Sequence, residues 1–446
     1  MLLRAEWVVP VSRPPIRDGA VLVEGPLIEA VGPYEAVKKE AGRDDVLDLG
    51  QAIIMPGLVN AHSHVVYTVL RGLEDDLTLF GWLGACIIGP SELLSERDFL
   101  WSARLGCLEA VRAGITCLAD AAPFGSVVLR AMAESGLRGL VFREVFEGEE
   151  AGGALESALR EIEEMEKAAP ERIKIGISPH SPYANPPGFL RSVAEAARER
   201  ELPVSLHLAE TKAEYEFFTE GKGELTAIAD ALGLRLPKAI GKTPTEYLAE
   251  LELLGPDVLL AHCIHLTGRD VELIARSGSS VAHCPKSNAK LGSGIAKVPE
   301  LLSAGVKVGL GTDSAASNNV LDMFEEMRMA VFLQRASRTD APVLTAEDAL
   351  HMATLGGAEA LGLNGLIGSL EPGKRADLVA VRLHEGLLPI YGPVSALVFC
   401  ANRSDVVLTM VDGEALFLDG RFTKLDAERI IGECRSIGER LAEELC

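Results

Sequence analysis

The pattern of apolar and polar positions is repetitive across the middle of the chain. From about Gly57 to Leu366, short apolar runs alternate about eight times with longer amphipathic segments. The apolar runs include GITCLAD, LRGLVFREV, RIKIGISPH, LPVSLHLAE, DVLLAHCIH and VKVGLGTD. Alternation of this kind predicts strands and helices that form a parallel sheet, either a closed (β/α)8 barrel or an open doubly wound sheet.

Two features of this region favour the barrel. No G-x-G-x-x-G opens a helix after a predicted strand, which weakens the dinucleotide-binding form of the open sheet. Most of the apolar runs also end in a polar residue that is capable of chemistry: His180, His207, His262, His283 and Asp313. Barrel enzymes carry their catalytic groups at the C-terminal ends of the strands, so these side chains are expected to converge.

The two ends of the chain have a different pattern. Both contain short alternating or β-branched runs that are broken by glycine and Asp-Gly, as is typical of strands and tight turns. Neither end is long enough to bury a core alone, so we expect them to pair into one small β-domain. The predicted divisions are 1–56 and 367–425 for this β-domain, 57–366 for the barrel, and 426–446 for a C-terminal helix.

Composition and charge limit the partners of the protein. The 446 residues include 65 acidic and 43 basic side chains, a formal net charge of −22. A nucleic-acid surface needs clustered Lys and Arg, and the sequence has no such cluster of any length. No apolar stretch approaches the ~18 residues of a membrane helix, and Arg4 and Glu6 interrupt the N-terminus where a signal peptide would turn apolar. We expect a cytoplasmic protein with a small-molecule substrate and neither a nucleic-acid nor a membrane partner.

The first candidate metal ligands are His62 and His64, an H-x-H directly after IIMPGLVNA. Alternate residues of a strand face the same side, so two imidazoles at a strand end can converge on one ion. Imidazole suits Zn²⁺ or Fe²⁺. A lone H-x-H is weak evidence, because two ordinary histidines have the same spacing.

Three further groups strengthen the metal hypothesis because each follows an apolar run. His207 lies in HLAE with Glu210 three residues later, His262 follows DVLLA, and Asp313 follows VKVGLGT. Individually, each histidine could be a core group and the aspartate a helix cap. Together, three imidazoles and one carboxylate fit a catalytic metal centre with room for water, and Glu210 lies where it could move a proton.

Six motifs in this order resemble the amidohydrolase superfamily across nearly the whole chain: PGLVNAHSH, SPHSPY, HLAE, AHCIH, LGTDSAASNN and GSLEPGKRADLVAV. The chain is most similar to the branch that holds 5-methylthioadenosine/S-adenosylhomocysteine deaminases, aminodeoxyfutalosine deaminases and triazine chlorohydrolases. This resemblance implies a (β/α)8 barrel with a small β-sandwich domain built from the N- and C-terminal segments. The resemblance is also compatible with a homo-oligomer.

The resemblance assigns roles to the candidate residues. It implies one divalent metal per subunit, with Zn²⁺ expected and Fe²⁺ as the alternative. The implied metal ligands are His62, His64, His207 and Asp313. Glu210 becomes the proton shuttle, His262 acts with Asp313 on the attacking water, and His180 contacts the substrate near the purine. His265 and His283 are interpreted as structural.

The resemblance also suggests the substrate and the residues that bind it. The implied reaction is hydrolytic deamination of a 6-aminopurine nucleoside, namely 5-methylthioadenosine, S-adenosylhomocysteine, adenosine or aminodeoxyfutalosine. The alternatives are a guanine- or pterin-type deaminase and a triazine-like chlorohydrolase. Glu92 is the candidate for the ribose hydroxyls, Arg143 for a substrate carboxylate through a bidentate pair, and Trp82 for packing against the substrate.

Overall fold

The computed structural model describes residues 1–42, 45–148, 153–226 and 241–445. They form an eight-stranded parallel barrel and a separate nine-stranded mixed sheet. This is the (β/α)8 barrel with an added β-domain that the sequence predicts. Within the described ranges, no helix combines the length and the apolarity needed to cross a membrane.

The N-terminal segment supplies five strands of the mixed sheet. They are β1 (Leu2–Val8), β2 (Ile16–Glu24), β3 (Leu27–Pro33), β4 (Val46–Asp48) and β5 (Ala52–Pro56). Their inward residues form an apolar cluster that includes Leu3, Val21 and Ile54. The alternate residues Leu2, Ala20 and Leu22 form a second cluster with the helix Tyr34–Ala41, so apolar side chains pack on both faces of this sheet.

The barrel follows directly. Its strands are β6 (Leu58–Ser63), β7 (Ile115–Ala122), β8 (Arg138–Glu144), β9 (Ile173–Ser178), β10 (Val204–Leu208), β11 (Val258–His262), β12 (Ser280–His283) and β13 (Val308–Leu310). Each strand pairs in parallel with the next along the chain. A bridge between Ser63 and Asp313 closes the ring from β13 to β6.

The C-terminal segment completes the mixed sheet. Its strands are β14 (Leu378–Arg382), β15 (Val406–Val411), β16 (Glu414–Leu418) and β17 (Arg421–Phe422). Strand β5 lies between the two ends of the chain, since it pairs in parallel with β1 and antiparallel with β14. The two termini thus share one sheet. The predicted domain limits stay predictions, although β5 and β6 lie on either side of the first limit.

Helices surround the barrel and cover both sheets. The α-helices are Tyr34–Ala41, Leu79–Trp82, Gly89–Ser91, Glu96–Arg112, Gly125–Ser135, Ala154–Ala168, Pro187–Glu199, Lys212–Glu220, Pro244–Glu250, Gly268–Ser277, Pro285–Lys290, Val298–Ser303, Ala315–Asn318, Met323–Arg338, Ala346–Met352, Leu355–Ala360, Pro393–Phe399 and Ala427–Leu445. Shorter 3₁₀ segments are Val65–Leu70, Ala341–Val343 and Arg403–Asp405, and Leu83–Ile88 is π-helical. Capping boxes at Ser95, Thr243, Thr267 and Thr345 fix where four α-helices begin.

The barrel interior is filled by alternate residues of its strands. On β8, Leu140 and Phe142 belong to the interior cluster, whereas Val141 packs into the core between strands and helices. Since side chains alternate along a strand, Glu144 also falls on the interior face and Arg143 on the outer face. Whether a residue at the end of a strand reaches the barrel mouth therefore depends on which face of the strand it lies on.

A buried ion pair joins the barrel to the mixed sheet. Arg138, the first residue of β8, donates to both carboxylate oxygens of Asp377 at 2.7 and 3.2 Å and to Asp412 at 2.5 Å. The Arg138 and Asp377 side chains are 5% and 1% exposed. Such charges are costly to bury unless they are paired, so this contact fixes how the two sheets meet.

Candidate active site

His62 and His64 stand at the end of β6, where their rings meet edge to face with centroids 4.8 Å apart. The Nδ1 of His64 donates to the Ala121 carbonyl at 2.6 Å, which leaves its Nε2 facing the Nε2 of His207 at 3.2 Å. The buried Nε2 of His62 has no hydrogen-bond partner among the described residues. An unpartnered buried nitrogen that lies beside the ring nitrogens of other histidines fits a metal ligand.

The imidazole rings of His207 and His262 are also oriented by hydrogen bonds from their Nδ1 atoms. His207 donates from Nδ1 to the His180 carbonyl at 2.8 Å, and His262 donates from Nδ1 to the Asn288 side-chain oxygen at 2.8 Å. Each bond fixes the tautomer and leaves Nε2 free to bind. Burial and the neighbouring imidazoles hold the pKa of His62 and of His207 well below the usual range, so both are neutral, as a metal ligand must be.

Asp313 completes this group. Its Oδ1 lies 3.6 Å from Nε2 of His62 and 3.5 Å from Nε2 of His64. Its Oδ2 accepts from the hydroxyls of Ser287 and Ser317 at 2.6 and 2.7 Å. Burial would raise the pKa of Asp313, but the nearby imidazoles, His262 first, hold it below the usual value. The candidate ligand atoms fall into groups within 4.8 Å of one another, so the residues fit one divalent cation.

The backbone turns sharply where it carries these groups. His180, Ala209, His262 and Asp313 adopt φ values of 59°, 48°, 70° and 59°. The left-handed region is uncommon for residues other than glycine, and strain of this kind clusters at functional sites. Four strained positions at the ends of four strands therefore mark the same end of the barrel as the histidines.

Glu210 lies beside the imidazole group with its Oε2 3.8 Å from Nε2 of His262. Its main-chain N–H donates to Glu214 at 2.9 Å, and that of Ala209 donates to the other Glu214 oxygen at 3.0 Å. Burial raises the pKa of Glu210. A carboxyl group that is buried, held in place and less acidic than usual can carry a proton near neutral pH.

Two acidic residues of the site are absent from the sequence prediction. Asp120, in GITCLAD, accepts from the Ser63 hydroxyl at 2.7 Å and from the Val65 N–H at 2.8 Å, so it holds the H-x-H segment. Burial raises its pKa to about 7. Glu144, at the end of β8, accepts from Nδ1 of His180 at 2.9 Å. Glu144 is the last residue of its strand, whereas Asp120 lies inside β7 with two strand residues after it.

A cavity of about 350 Å³ opens above these groups. The polar residues that line this active-site pocket include His64, Glu144, His180, Glu210 and Asp313. Its apolar lining, called the apolar wall below, includes Leu79, Phe80, Trp82, Leu83, Ile87, Ile88 and Leu225. An apolar lining with a few placed polar groups is typical of a small-molecule site.

The structure brings most of the predicted site residues into the pocket. His64, His207, Glu210, His262 and Asp313 line it, as do the predicted substrate contacts His180 and Trp82. His62 lies directly behind them with its ring 4.9 Å from that of His207. The geometry therefore gathers the histidines and acids that the sequence singles out.

Two predicted substrate contacts lie elsewhere. Arg143 is on the outer face of β8, where its Nε donates to Glu161 of helix Ala154–Ala168 at 2.6 Å and a further N–H donates to the Glu144 carbonyl. Glu92 is exposed, beyond the turn that brings Ile87 and Ile88 to the pocket. Neither side chain lines the pocket, which argues against the carboxylate and ribose contacts expected of them.

The two histidines that the sequence analysis interprets as structural, His265 and His283, lie outside the pocket. His265 shares a hydrogen bond with the Ser293 carbonyl at 2.8 Å through Nε2. His283 is buried, and its ring nitrogens have no partner in the part of the chain that the structure describes. Burial lowers the pKa of His283 to about 3, so it is an uncharged core group.

A closed barrel with histidines and an aspartate that fit a cation and with a buried carboxyl group at one end is typical of a metal-dependent barrel hydrolase. The family model for amidohydrolases matches residues 53–416. The chain belongs to the amidohydrolase family.

Individual relatives agree with this assignment. A protein of Desulforudis audaxviator (strain MP104C) named 5-methylthioadenosine/S-adenosylhomocysteine deaminase is 37% identical over 447 residues, which cover 100% of each chain. The crystal structure of an adenosine deaminase from Xanthomonas campestris with bound zinc superposes with a TM-score of 0.89 at 31% identity, covering 99% of this chain and 98% of that one. An atrazine chlorohydrolase from Arthrobacter aurescens TC1, complexed with zinc, has a TM-score of 0.85 at 23% identity, with 98% and 99% coverage, and shares the fold.

Proposed function

We propose that the protein hydrolytically deaminates a 6-aminopurine nucleoside and releases ammonia. The candidate substrates are 5-methylthioadenosine, S-adenosylhomocysteine, adenosine and aminodeoxyfutalosine. The observation that carries this proposal is the buried Glu210 carboxyl, 3.8 Å from His262 and next to the ligand group. A relative that is 37% identical along its full length and named a 5-methylthioadenosine/S-adenosylhomocysteine deaminase supports the substrate class.

The proposed metal ligands are His62, His64, His207 and Asp313. Zinc is the preferred cation because three imidazoles and a carboxylate suit it and because a solved relative at 31% identity contains it. Fe²⁺ is the alternative that imidazole ligands also accept. A cation held there supplies Lewis-acid activation of water, which lowers the pKa of that water towards ~7.

The side chains of the protein do the remaining work. Glu210 holds the proton given up by the attacking water and delivers it to the purine ring nitrogen next to C6. His262 orients the attacking water from the side opposite Asn288, which fixes its ring. Water adds its oxygen at C6, and the second proton of that water moves from the oxygen to the amino group. The C6–N bond then breaks, the amino group leaves as ammonia, and C6 keeps the oxygen as a carbonyl. Positioned proton transfer of this kind contributes typically ~10²–10⁴-fold to the rate.

The apolar wall provides a surface on which the flat purine can pack. Trp82 and Phe80 are buried on that wall, and Tyr183 packs edge to face on Phe80 with ring centroids 5.8 Å apart. Aromatic side chains bury a large area at low entropic cost, so this face can hold the base while the polar groups of the pocket reach its edge. We assign His180, one of those polar groups, to the purine.

Ammonia release from the four nucleosides by zinc-loaded protein tests the proposal. We expect release from at least one nucleoside and neither ammonia from guanine or a pterin nor chloride from a chlorotriazine. Metal-free protein is the control and should be inactive until zinc is restored. Ammonia from guanine or a pterin, or chloride from a triazine, with no nucleoside turnover would instead favour another branch of the family.

A further inference from the structure

Glu144 is a buried carboxylate in the active-site pocket to which the proposed reaction assigns no role. It is the last residue of β8 and is only 3% exposed. Its Oε1 accepts from Nδ1 of His180 at 2.9 Å, and both residues line the pocket. The contact places a carboxylate directly beside an imidazole that lines the pocket.

The segments that carry this pair are fastened to one another. Asn185 donates to the Val145 carbonyl at 3.1 Å and to the Pro179 carbonyl at 2.9 Å. Val145 also donates from its main chain to the Ser178 carbonyl at 2.8 Å. The residues that follow Glu144 and precede His180 are therefore held side by side, so their contact is built into the barrel mouth.

His180 also supports the metal cluster, but with its main chain. Its carbonyl accepts from the main-chain N–H of His207 at 2.7 Å and from Nδ1 of the same residue at 2.8 Å. The His180 ring is thus free for another purpose, and it packs beside Phe146 with ring centroids 5.1 Å apart. Losing the ring contact to Glu144 should leave the main-chain support of His207 in place.

A carboxylate at Nδ1 determines what the other ring nitrogen can do. While Glu144 accepts from Nδ1–H, the ring cannot flip or change tautomer without breaking a charge-assisted hydrogen bond. The Nε2 atom then keeps one direction and one protonation pattern. The titratable groups that act on the pair or on its neighbours include His64, His207, Glu210, Asp120 and Tyr183. Among the described residues, Nδ1 of His180 donates to Glu144.

We propose that Glu144 is a positioning residue that fixes the tautomer and direction of the His180 ring so that Nε2 hydrogen-bonds the purine nucleoside. The hydrogen bond from Nε2 to the nucleoside rests on the proposed deamination. The effect of Glu144 on the tautomer of His180 does not depend on it. Outer partners of this kind are typically worth ~10–100-fold in affinity or activity.

The kinetic test compares Glu144→Ala, Glu144→Gln and the exposed neighbour Glu147→Gln as the matched control. Glu144→Ala should lower kcat/KM by ~10–100-fold, mainly through KM and with zinc content unchanged. Glu144→Gln, whose amide oxygen still accepts from Nδ1–H, should recover most of the loss, and Glu147→Gln should match the wild type. Adding Glu144→Ala to His180→Ala should cost nothing further, because coupled residues are not additive.

Histidine ¹⁵N NMR tests the same proposal without turnover. The His180 ring should be protonated at Nδ1 in the wild type and in Glu144→Gln, and should lose this fixed pattern in Glu144→Ala. An unchanged Nδ1 signal in Glu144→Ala, or additive losses in the double variant, would overturn the positioning role. A wild type that deaminates no nucleoside but shows the expected NMR change would refute the proposed function and leave the tautomer role supported.

Discussion

The main-chain N–H of Asp313 donates to the His62 carbonyl at 3.0 Å, so the bond that closes the barrel also joins two candidate metal ligands. The contact between the last and first strands of the barrel therefore also sets the relative position of the candidate metal ligands. A change in how the last strand docks on the first would move Asp313 relative to His62 and alter the cluster.

Replacement of Glu210 by glutamine tests the proton shuttle. The amide keeps the size of the side chain but cannot carry the proton, so kcat should fall by ~10²–10⁴-fold while the bound zinc stays the same. Ammonia release and metal analysis measure the two effects. Glu220→Gln, an exposed change on the neighbouring helix, should leave both unchanged; full activity in Glu210→Gln would remove Glu210 from the mechanism.

Replacement of Asp120 by alanine tests the support of the H-x-H segment. The change removes the acceptor for Ser63 and Val65, so His62 and His64 should be held less firmly. We expect a zinc affinity ~10–100-fold weaker, measured by competition with a chromogenic chelator. The exposed Asp76→Ala is the control. Equal zinc affinity in both variants would limit Asp120 to a packing role.

Replacement of Arg143 by methionine tests where the substrate carboxylate is bound. Because Arg143 pairs with Glu161 on the outer face of β8, the ratio of kcat/KM for 5-methylthioadenosine to that for S-adenosylhomocysteine should not change. Steady-state kinetics on both substrates measure this ratio. A loss confined to S-adenosylhomocysteine would restore the contact that the family resemblance implies.

The buried Glu326 gives a prediction for pH. Burial raises the pKa of this carboxyl from about 4.5 to about 8, so the folded protein keeps a proton that the unfolded chain loses. The resulting stabilisation is complete below about pH 4.5 and is lost as the pH rises through about 8. Glu326→Gln cannot titrate, so the stability of the wild type relative to this variant should fall from acidic to alkaline pH.

Chemical denaturation of both proteins at several pH values measures this difference. The exposed Glu347→Gln serves as the control, because its stability relative to the wild type should be nearly independent of pH over the same range. A constant difference between the wild type and Glu326→Gln would show that Glu326 titrates as an ordinary carboxyl.

The strand-end rule predicts much of the fold and site, but it does not distinguish Arg143 from Glu144. The two are neighbours at the end of β8 within the run VFREV, and only the position of Phe142 inside the barrel shows that Glu144 faces inward. Strands of a parallel barrel are buried on both faces and read as continuous apolar runs. The sequence therefore does not show which residues of the strand face into the barrel. The family resemblance points to Arg143, whose side chain lies on the outer face.

Glu92 shows a second limit. The segment before it is π-helical from Leu83 to Ile88, and such turns are rare and shift the phase of every following side chain. The candidate Glu92 comes from the family resemblance, which does not register such a turn. His62 and Asp313 lie in or just after short strands, where the direction of a side chain depends on fewer preceding residues.

The pairing of β5 with β14 has a consequence for synthesis of the chain. Ile54 and Ala380 lie opposite one another in this sheet, yet every barrel strand is translated between them. During synthesis, the edge of β5 that pairs with β14 therefore stays unpaired until the whole barrel has left the ribosome. An open sheet edge is a template for unwanted pairing, so the nascent protein should depend most on chaperones before β14 arrives.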